Sequence, residues 1–312
     1  MSTAVIESDK IEARVSRLSA AASRRVIEPD ADVPGTVGNG QVIPDELLSV
    51  AGLGLDLTPA QRRTLSREEV ASIAQAGIRF EAVLEAGFAA QVATAEDLTD
   101  PRLTFILHEV GEETRHQRLF QRLVADLEPA AKSPVPFGLV RFGYRRVVHA
   151  AIRFPALFYV LVLGGEEIPD LFQKLAADHP ATDPFVRDVN RYHRAEEARH
   201  LSFARSVYPE IWADAGPVDR FAVKRIAPLM IRDMFAMMVH PGVYEAVGLP
   251  PFKTWFRANK SPERVALRHE ATRPVLKALI DGGAIRPGRV PRRWRALCGV
   301  DRHGAPRTDA AA

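Results

Sequence analysis

The part of the sequence best suited to chemistry is a phrase of glutamates, arginine and histidine that occurs twice. Residues 111–116 read GEETRH and residues 195–200 read AEEARH. In an α-helix, a glutamate and a histidine three positions apart lie on one face, so each phrase can present a carboxylate and an imidazole to the same object. These donors suit iron or manganese. Because Cys298 is the single cysteine, a cysteine-built metal site is excluded.

The second phrase is preceded by a further histidine one turn earlier. With about 100° per residue, His193, Glu197 and His200 fall within an arc of about 60° on one helix face. Glu109 shares the face of the first phrase in the same way. A single phrase of this kind is typical of a solvated charged surface. Two copies, each inside a helix that begins with Asp-Pro, favour metal binding instead.

A di-iron site in a ferritin-like bundle takes one glutamate from each of two helices and a Glu-x-x-His from each of the other two. The lone glutamates are expected on the helix before each phrase. The sequence offers Glu81 or Glu85 before the first phrase, and Glu166 or Glu167 before the second. We choose Glu81 and Glu166, with Glu85 and Glu167 in reserve, because two antiparallel helices of this length bring such positions to the same level.

The elements that must position these residues are helical. No convincing run of alternating β-branched residues occurs, so the predicted class is all-α: a ferritin-like helical bundle with additional C-terminal helices. Thr58-Pro59 and the capping-box pattern SREE at 66–69 predict the start of the first long helix. Pro209 is expected to end the helix of the second phrase, and kinks are expected at Pro155, Gly164, Gly165 and Pro169. The predicted helices cover residues 66–92, 100–127, 137–177, 183–208, 218–239 and 262–280.

The chain is divided by composition into three parts. Residues 1–45 end in VPGTVGNGQVIP and predict an extended or disordered arm, residues 46–285 a single di-iron helical-bundle domain, and residues 286–312 an Arg-rich C-terminal tail. The net charge of +3 does not require nucleic acid. The N-terminus has no apolar signal core, and the most apolar run, 154–165, is too short to cross a bilayer. A cytoplasmic protein with no membrane partner is expected.

At this point the sequence resembles a known family. His193-x-x-x-Glu197-x-x-His200, together with Glu113-x-x-His116, is similar to the pattern of the para-aminobenzoate N-oxygenase (AurF-like) di-iron enzymes, in which a third histidine precedes the second Glu-x-x-His. The resemblance covers about residues 60–240. It implies an O₂-dependent non-haem di-iron oxygenase with two Fe ions, Mn being possible. The predicted metal ligands are Glu81, Glu113, His116, Glu166, His193, Glu197 and His200.

The resemblance also implies a reaction and its partners. The expected substrate is a small aromatic amine, carried through the hydroxylamine towards the nitro level, with O₂ as co-substrate and electrons from an external donor or reductase. A homodimer is possible. By resemblance to di-iron bundles, Glu112 is expected to accept the ring N–H of His200, and Glu196 that of His116.

Several alternatives remain open from the sequence. The same ligands would serve a di-iron carbon hydroxylase or desaturase, or a non-catalytic ferritin-like iron-binding protein. A radical-storing protein would need a tyrosine beside the metal, and Tyr192 is adjacent to His193 in sequence. His108 and His240 share no helix face with other candidate ligands and are interpreted as structural residues. The pocket wall is undetermined; Phe80, Phe105, Phe203 and the methionines from Met230 onwards are its apolar candidates.

Overall fold

The computed structural model describes residues 3–24, 26–134 and 153–307, with three further helical positions at 143, 146 and 149. Within these residues no β-strand occurs, and the predicted all-α class is confirmed. Two short 3₁₀ turns, Asp45–Leu47 and Ala51–Leu53, precede the bundle. The α-helices are α1 (Thr3–Arg24), α2 (Pro29–Asp32), α3 (Pro59–Thr94), α4 (Pro101–Leu127), α5 (Pro155–Asp178), α6 (Pro184–Asp214), α7 (Pro217–Arg225), α8 (Ala227–Met237), α9 (Gly242–Glu245), α10 (Pro251–Ala258), α11 (Pro262–Asp281) and α12 (Arg292–Cys298).

Four long helices, α3 to α6, form the bundle that holds the two phrases. Helix α3 packs mainly on α4, and α5 on α6, while α4 and α6 also touch. Asp100 and Asp183 each cap their helix by accepting the backbone N–H of the second helical residue, with proline at the first. The predicted starts of α4 and α6 are therefore confirmed, and both phrases lie at the same depth in the bundle.

The predicted N-cap at Thr58-Pro59 is confirmed, whereas the predicted capping box at SREE and the predicted helix end at Pro209 are wrong. Helix α3 begins at Pro59, where Thr58 and Gln61 form the capping box, so the SREE pattern lies inside the helix. Its Ser66 hydroxyl donates to the carbonyl of Arg63 and accepts the backbone N–H of Val42 instead of capping. Helix α6 continues through Pro209 to Asp214. A proline removes one backbone hydrogen bond, and the packing of the last turn, including buried Trp212, outweighs this loss.

Helix α5 is continuous through the two glycines and Pro169, where kinks are predicted, and Pro155 lies at its first position. The glycines serve close packing: a Cβ built on Gly165 would lie 1.8 Å from Cζ of Phe80 on α3. The ring of Phe80 thus reaches the backbone directly beside Glu166. The part of the predicted helix at 137–152 falls almost wholly outside the described residues. The predicted helix 218–239 is two helices, α7 and α8, which meet at Ile226 with Pro228 in the first turn of α8.

The prediction of an extended arm is wrong for residues 3–24, which form α1. Ile11, Val15 and Ala22 are buried at helical spacing, and α1 packs on α4 and α6. The stretch from residue 33 to residue 57 is irregular but also folded onto the bundle, where Val42 is fully buried. Burial of the apolar face of α1 stabilises this helix, whose composition is otherwise polar.

The predicted Arg-rich tail, residues 286–312, is packed against the other helices as far as the structure describes it, to residue 307. Helix α12 packs on α8 and α11, and Trp294 is fully buried with its indole N–H donating to the carbonyl of Val223. The arginines next to this tryptophan thus lie on a helix that Trp294 anchors to the rest of the domain. Among the described residues, no helix is both long and apolar enough to cross a membrane.

Candidate metal centre

Four bundle helices bring the seven predicted ligands together in the interior. Each of these residues is at most 2% exposed. Charged side chains are almost never buried so completely unless they are paired or bind a metal. Helix α3 contributes Glu81, α4 contributes Glu113 and His116, α5 contributes Glu166, and α6 contributes His193, Glu197 and His200.

Two of the glutamates each span the same pair of histidines. Glu113 places Oε2 3.0 Å from Nδ1 of His116 and Oε1 3.3 Å from Nδ1 of His200. Glu197 places Oε1 3.2 Å from Nδ1 of His116 and Oε2 3.1 Å from Nδ1 of His200. Each carboxylate therefore offers one oxygen to either end of the cluster. This arrangement suits two cations bridged by two carboxylates.

The remaining ligands divide between the two ends. At the His116 end, Glu81 lies with Oε1 3.3 Å from Nε2 of His193 and Oε2 4.0 Å from Nδ1 of His116. Glu166 lies beside Glu197. Of the cluster histidines, His200 has the charge that acts most on the carboxyl of Glu166.

The two reserve glutamates lie outside this arrangement. Glu85 is half-buried and forms no ion pair with the cluster histidines among the described residues. Glu167 forms an ion pair with Arg205.

The outer nitrogens of His116 and His200 face two further buried carboxylates. Nε2 of His200 lies 2.8 Å from Oε2 of Glu112, and Nε2 of His116 lies 3.0 Å from Oε2 of Glu196. Because an ionised carboxylate can only accept, these contacts hold a proton on Nε2 and leave Nδ1 facing the cluster, where it would bind a cation once its own proton is lost. Burial opposes ionisation of His116 in the metal-free protein, but its hydrogen bonds to Glu113 and Glu196 raise its pKa to about 9. Arg199 lies with Nη2 2.8 Å from Glu112 and 3.5 Å from Glu196, so one guanidinium contacts both carboxylates.

His193 is oriented differently. Its Nδ1 lies 3.0 Å from Oε1 of Gln173, an acceptor, so Nε2 is the nitrogen that faces Glu81 and Glu197. Burial, together with the charge of His116, lowers the pKa of His193 to about 3. His193 is thus a neutral imidazole with a free lone pair. Gln173 was not foreseen from the sequence, although it lies on the same helix as Glu166, two turns later.

The crowded carboxylates fit the binding of cations. Burial, and then the charges of neighbouring glutamates, raises the pKa of Glu81 and of Glu166 well above the usual range. Although burial opposes it, the hydrogen bond from Glu81 and the charge of His200 lower the pKa of Glu113. One buried oxygen on each of Glu81, Glu113, Glu166 and Glu197 has no hydrogen-bond partner among the described residues. Divalent cations would neutralise the charges and give these oxygens partners.

A cavity of about 380 Å³ reaches the cluster from one side. Its wall includes Glu81, Glu166 and His193, and the rest is largely apolar, with Phe80 and Met234 among the candidates named from the sequence. The size and lining are those of a small-molecule site. Phe105 and Phe203 are not on this wall; they stack on each other with ring centroids 4.4 Å apart, near His200.

Arg264, on α11, is a buried cation on the same cavity wall. It is 5% exposed, and its Cζ lies 4.9 Å from the ring centroid of Phe235 and 5.7 Å from that of Phe172. Its Nη2 has no hydrogen-bond partner among the described residues. No sequence pattern points to Arg264, because its helix is remote from both phrases along the chain.

The other residues singled out in the sequence lie at the edge of the cluster or away from it. His108 contacts Ser23 of α1, with Nε2 3.2 Å from Oγ, and His240 lies in the packing near Ser72. Tyr192 packs edge-on against His116, with ring centroids 5.6 Å apart, and its hydroxyl faces Glu196 rather than the ligands.

Comparison with known proteins agrees with this geometry. The profile of a family described as P-aminobenzoate N-oxygenase AurF matches residues 9–283. The chain belongs to this family. The description of this family names an oxygenase, and the buried glutamates and histidines found here could hold a metal centre.

Curated relatives in mycobacteria resemble part of the chain. The uncharacterized proteins Mb0909 of Mycobacterium bovis and Rv0885 of Mycobacterium tuberculosis are each 30% identical over 172 residues, which is 55% of this chain and 50% of the relative. The chain therefore matches half the length of these relatives. The names of these relatives state no reaction or substrate.

Proposed function

We propose that this AurF-family member is a di-iron oxygenase that oxidises the nitrogen of an aromatic amine. The first step would convert R–NH₂, O₂, two electrons and two protons into R–NHOH and water, and further oxidation would lead towards the nitro level. The electrons come from an external donor or reductase. When bound, two reducible iron ions supply the electron-transfer chemistry that O₂ requires.

One observation carries the proposal: the two-ended cluster opens onto an apolar cavity. Glu113 and Glu197 each reach both His116 and His200, an arrangement that suits a pair of ions. The side of the cluster with Glu81, Glu166 and His193 lies on the cavity wall. A substrate in the cavity would therefore meet the His193 face of the centre.

The protein residues have distinct tasks in this proposal. Glu113 and Glu197 would hold both ions, and Glu81 and Glu166 one ion each. Glu112 and Glu196 fix the tautomers of the histidines and keep Nδ1 available. The apolar wall, including Phe80, excludes water from the reacting nitrogen.

Arg264 provides the cavity with a site for an acidic substituent. Its unpartnered Nη2 gains a charge-assisted hydrogen bond when a carboxylate binds, and burial strengthens that bond. We therefore favour an aromatic amine that carries a carboxylate. The rings of Phe172 and Phe235, on which the guanidinium lies, keep it in place.

The test is a single-turnover reaction of the iron-loaded, chemically reduced protein with ¹⁸O₂ and para-aminobenzoate. Mass spectrometry should detect label in the hydroxylamine, nitroso or nitro product, with none formed by Glu197→Ala. A labelled aminophenol would instead identify a carbon hydroxylase. Progressive storage of iron without oxidation of any amine would identify a ferritin-like protein, and either result would overturn the proposal.

A further inference from the structure

Glu109 is a buried carboxylate that the seven-ligand set does not use. It lies on α4 one helical turn before Glu113 and is 0% exposed. Neither of its carboxylate oxygens has a hydrogen-bond partner among the described residues. The ionised form of a carboxyl buried in this way needs a compensating charge.

Among the charged groups that act most strongly on Glu109, the one cation is the imidazole of His200. The two arginines closest to the cluster are turned to the outer carboxylates: Arg199 lies 2.8 Å from Glu112, and Arg115 lies 3.8 Å from Glu196. The charged group that most favours ionised Glu109 is His200, a member of the cluster itself.

Glu109 belongs to a group of three donor residues that could hold a metal ion. One oxygen of Glu109, one of Glu113 and one nitrogen of His200 all lie within 4.8 Å of one another. A separate group of the same kind, Glu81 with His116 and His193, lies at the other end of the cluster. The two groups share no residue, so each marks a different end.

We propose that Glu109 is an eighth ligand, which binds the cation at the His200 end. This inference rests on the two-metal centre of the proposed function and adds a residue to it. The His116 end has two imidazoles, His116 and His193. The His200 end has a single imidazole, and a carboxylate from Glu109 would complete its donors.

The proposed ligand gives the two ends different chemistry. The His116 end would be rich in neutral nitrogen donors, whereas the His200 end would hold its ion mainly through carboxylate oxygen. Oxygen-rich donors suit harder ions such as Mn²⁺ and the oxidised state of iron. The two iron equivalents should therefore bind with different affinities and differ in their spectra.

The test compares the full-length protein with Glu109→Gln, which has nearly the same shape but no charge. Metal-free protein is dialysed anaerobically against increasing Fe²⁺, and bound iron is measured by mass spectrometry. The wild type should bind two equivalents. In Glu109→Gln, one equivalent should weaken by at least about tenfold while the other is retained.

Two variants provide matched controls. Glu85→Gln removes a half-buried glutamate outside the cluster and should leave both equivalents unchanged. Glu81→Gln should weaken the equivalent at the opposite end. Mössbauer spectra of ⁵⁷Fe-loaded, reduced protein should show two ferrous doublets, one for each end of the cluster. Glu109→Gln should alter one doublet, and Glu81→Gln should mainly alter the other.

The outcomes separate this proposal from the proposed function. If the wild type binds two irons and Glu109→Gln binds them with unchanged affinity and spectra, Glu109 is a structural residue and the inference is wrong. If the wild type binds no iron, the metal centre itself fails. Circular dichroism checks that each variant folds. If Glu109→Gln does not fold, Glu109→His is used instead, because histidine is another type of metal ligand. Glu109→His should bind two irons and show one altered doublet. Two unaltered doublets in that variant would equally refute ligation.

Discussion

Replacing Glu166 by glutamine should have opposite effects on stability with and without metal. Without metal, Glu166 is buried, its Oε1 has no partner among the described residues, and its pKa is well above the usual range because of burial and the charge of Glu197. Glutamine keeps the shape and removes the ionisable group. Ionising a carboxyl in this site costs at least about 1–3 kcal/mol, and glutamine cannot ionise. Metal-free Glu166→Gln should therefore have a free energy of unfolding higher by about that amount near pH 8.

The dependence on pH has a definite sign. A carboxyl with a raised pKa in the folded state contributes stability below its unfolded pKa and loses it as pH rises through the folded pKa. The advantage of Glu166→Gln should thus be smallest near pH 4.5 and grow towards higher pH. In the metal-bound protein the order reverses, because wild-type protein gains about 2.7 kcal/mol when free Fe²⁺ is a hundred times its Kd, and the variant lacks a ligand.

The assay is urea unfolding followed by circular dichroism, under anaerobic conditions, with and without Fe²⁺. Glu167→Gln is the matched control, since the adjacent carboxylate pairs with half-exposed Arg205 and should change stability by at most about 1 kcal/mol. Its response to Fe²⁺ should equal that of the wild type. If metal-free Glu166→Gln is less stable than the wild type and still gains full stability from Fe²⁺, Glu166 is not a ligand and the reasoning is refuted.

Three further predictions concern residues around the ligands. Glu196→Gln and Glu112→Gln should each weaken Fe²⁺ binding by about 10- to 100-fold, because each removes the charged acceptor of a ligand histidine; undiminished loading of both in anaerobic dialysis would exclude that role. Burial raises the pKa of Glu69 from 4.5 to about 7. In metal-free protein the unfolding free energy of the wild type relative to Glu69→Gln should therefore fall by about 3 kcal/mol between pH 4.5 and 7, measured by urea unfolding at each pH, whereas a constant difference would contradict it. Arg264→Gln should raise KM for para-aminobenzoate by at least about tenfold and leave KM for its methyl ester nearly unchanged, and an equal effect on both would show that Arg264 does not recognise the carboxylate.

Local spacing made the repeated phrases predictable. Glu113 with His116, and His193 with Glu197 and His200, lie at helical intervals, so a sequence pattern alone places each group on one face. The Asp-Pro starts of α4 and α6 also follow from a local capping rule.

Contacts between distant segments could not be read in the same way. Gln173 touches His193 and Arg264 reaches the cavity only because helices pack side by side, and the packing register of two helices is not written in either one alone. Glu109 shared the face of the first phrase, but its role depends on how closely α6 approaches. The choice between Glu81 and Glu85 rested on that same register.

The errors at the termini have a different cause. Helix α1 carries Ile11, Val15 and Ala22 at helical spacing, but the Gly- and Pro-rich stretch after it dominated the prediction for the whole arm. The SREE pattern satisfied the rule for a capping box, although Thr58 had already begun the helix. For α1, tertiary packing overrides the local signal, and for α3 an earlier cap does so.

The most direct test of the account is the iron content of anaerobically reconstituted protein after removal of free metal. The account predicts about two Fe per chain in the wild type and a large loss in Glu197→Ala, because that glutamate contacts both His116 and His200. Retention of two Fe per chain by Glu197→Ala, or absence of bound iron from the folded wild type, would contradict a di-iron centre at this cluster.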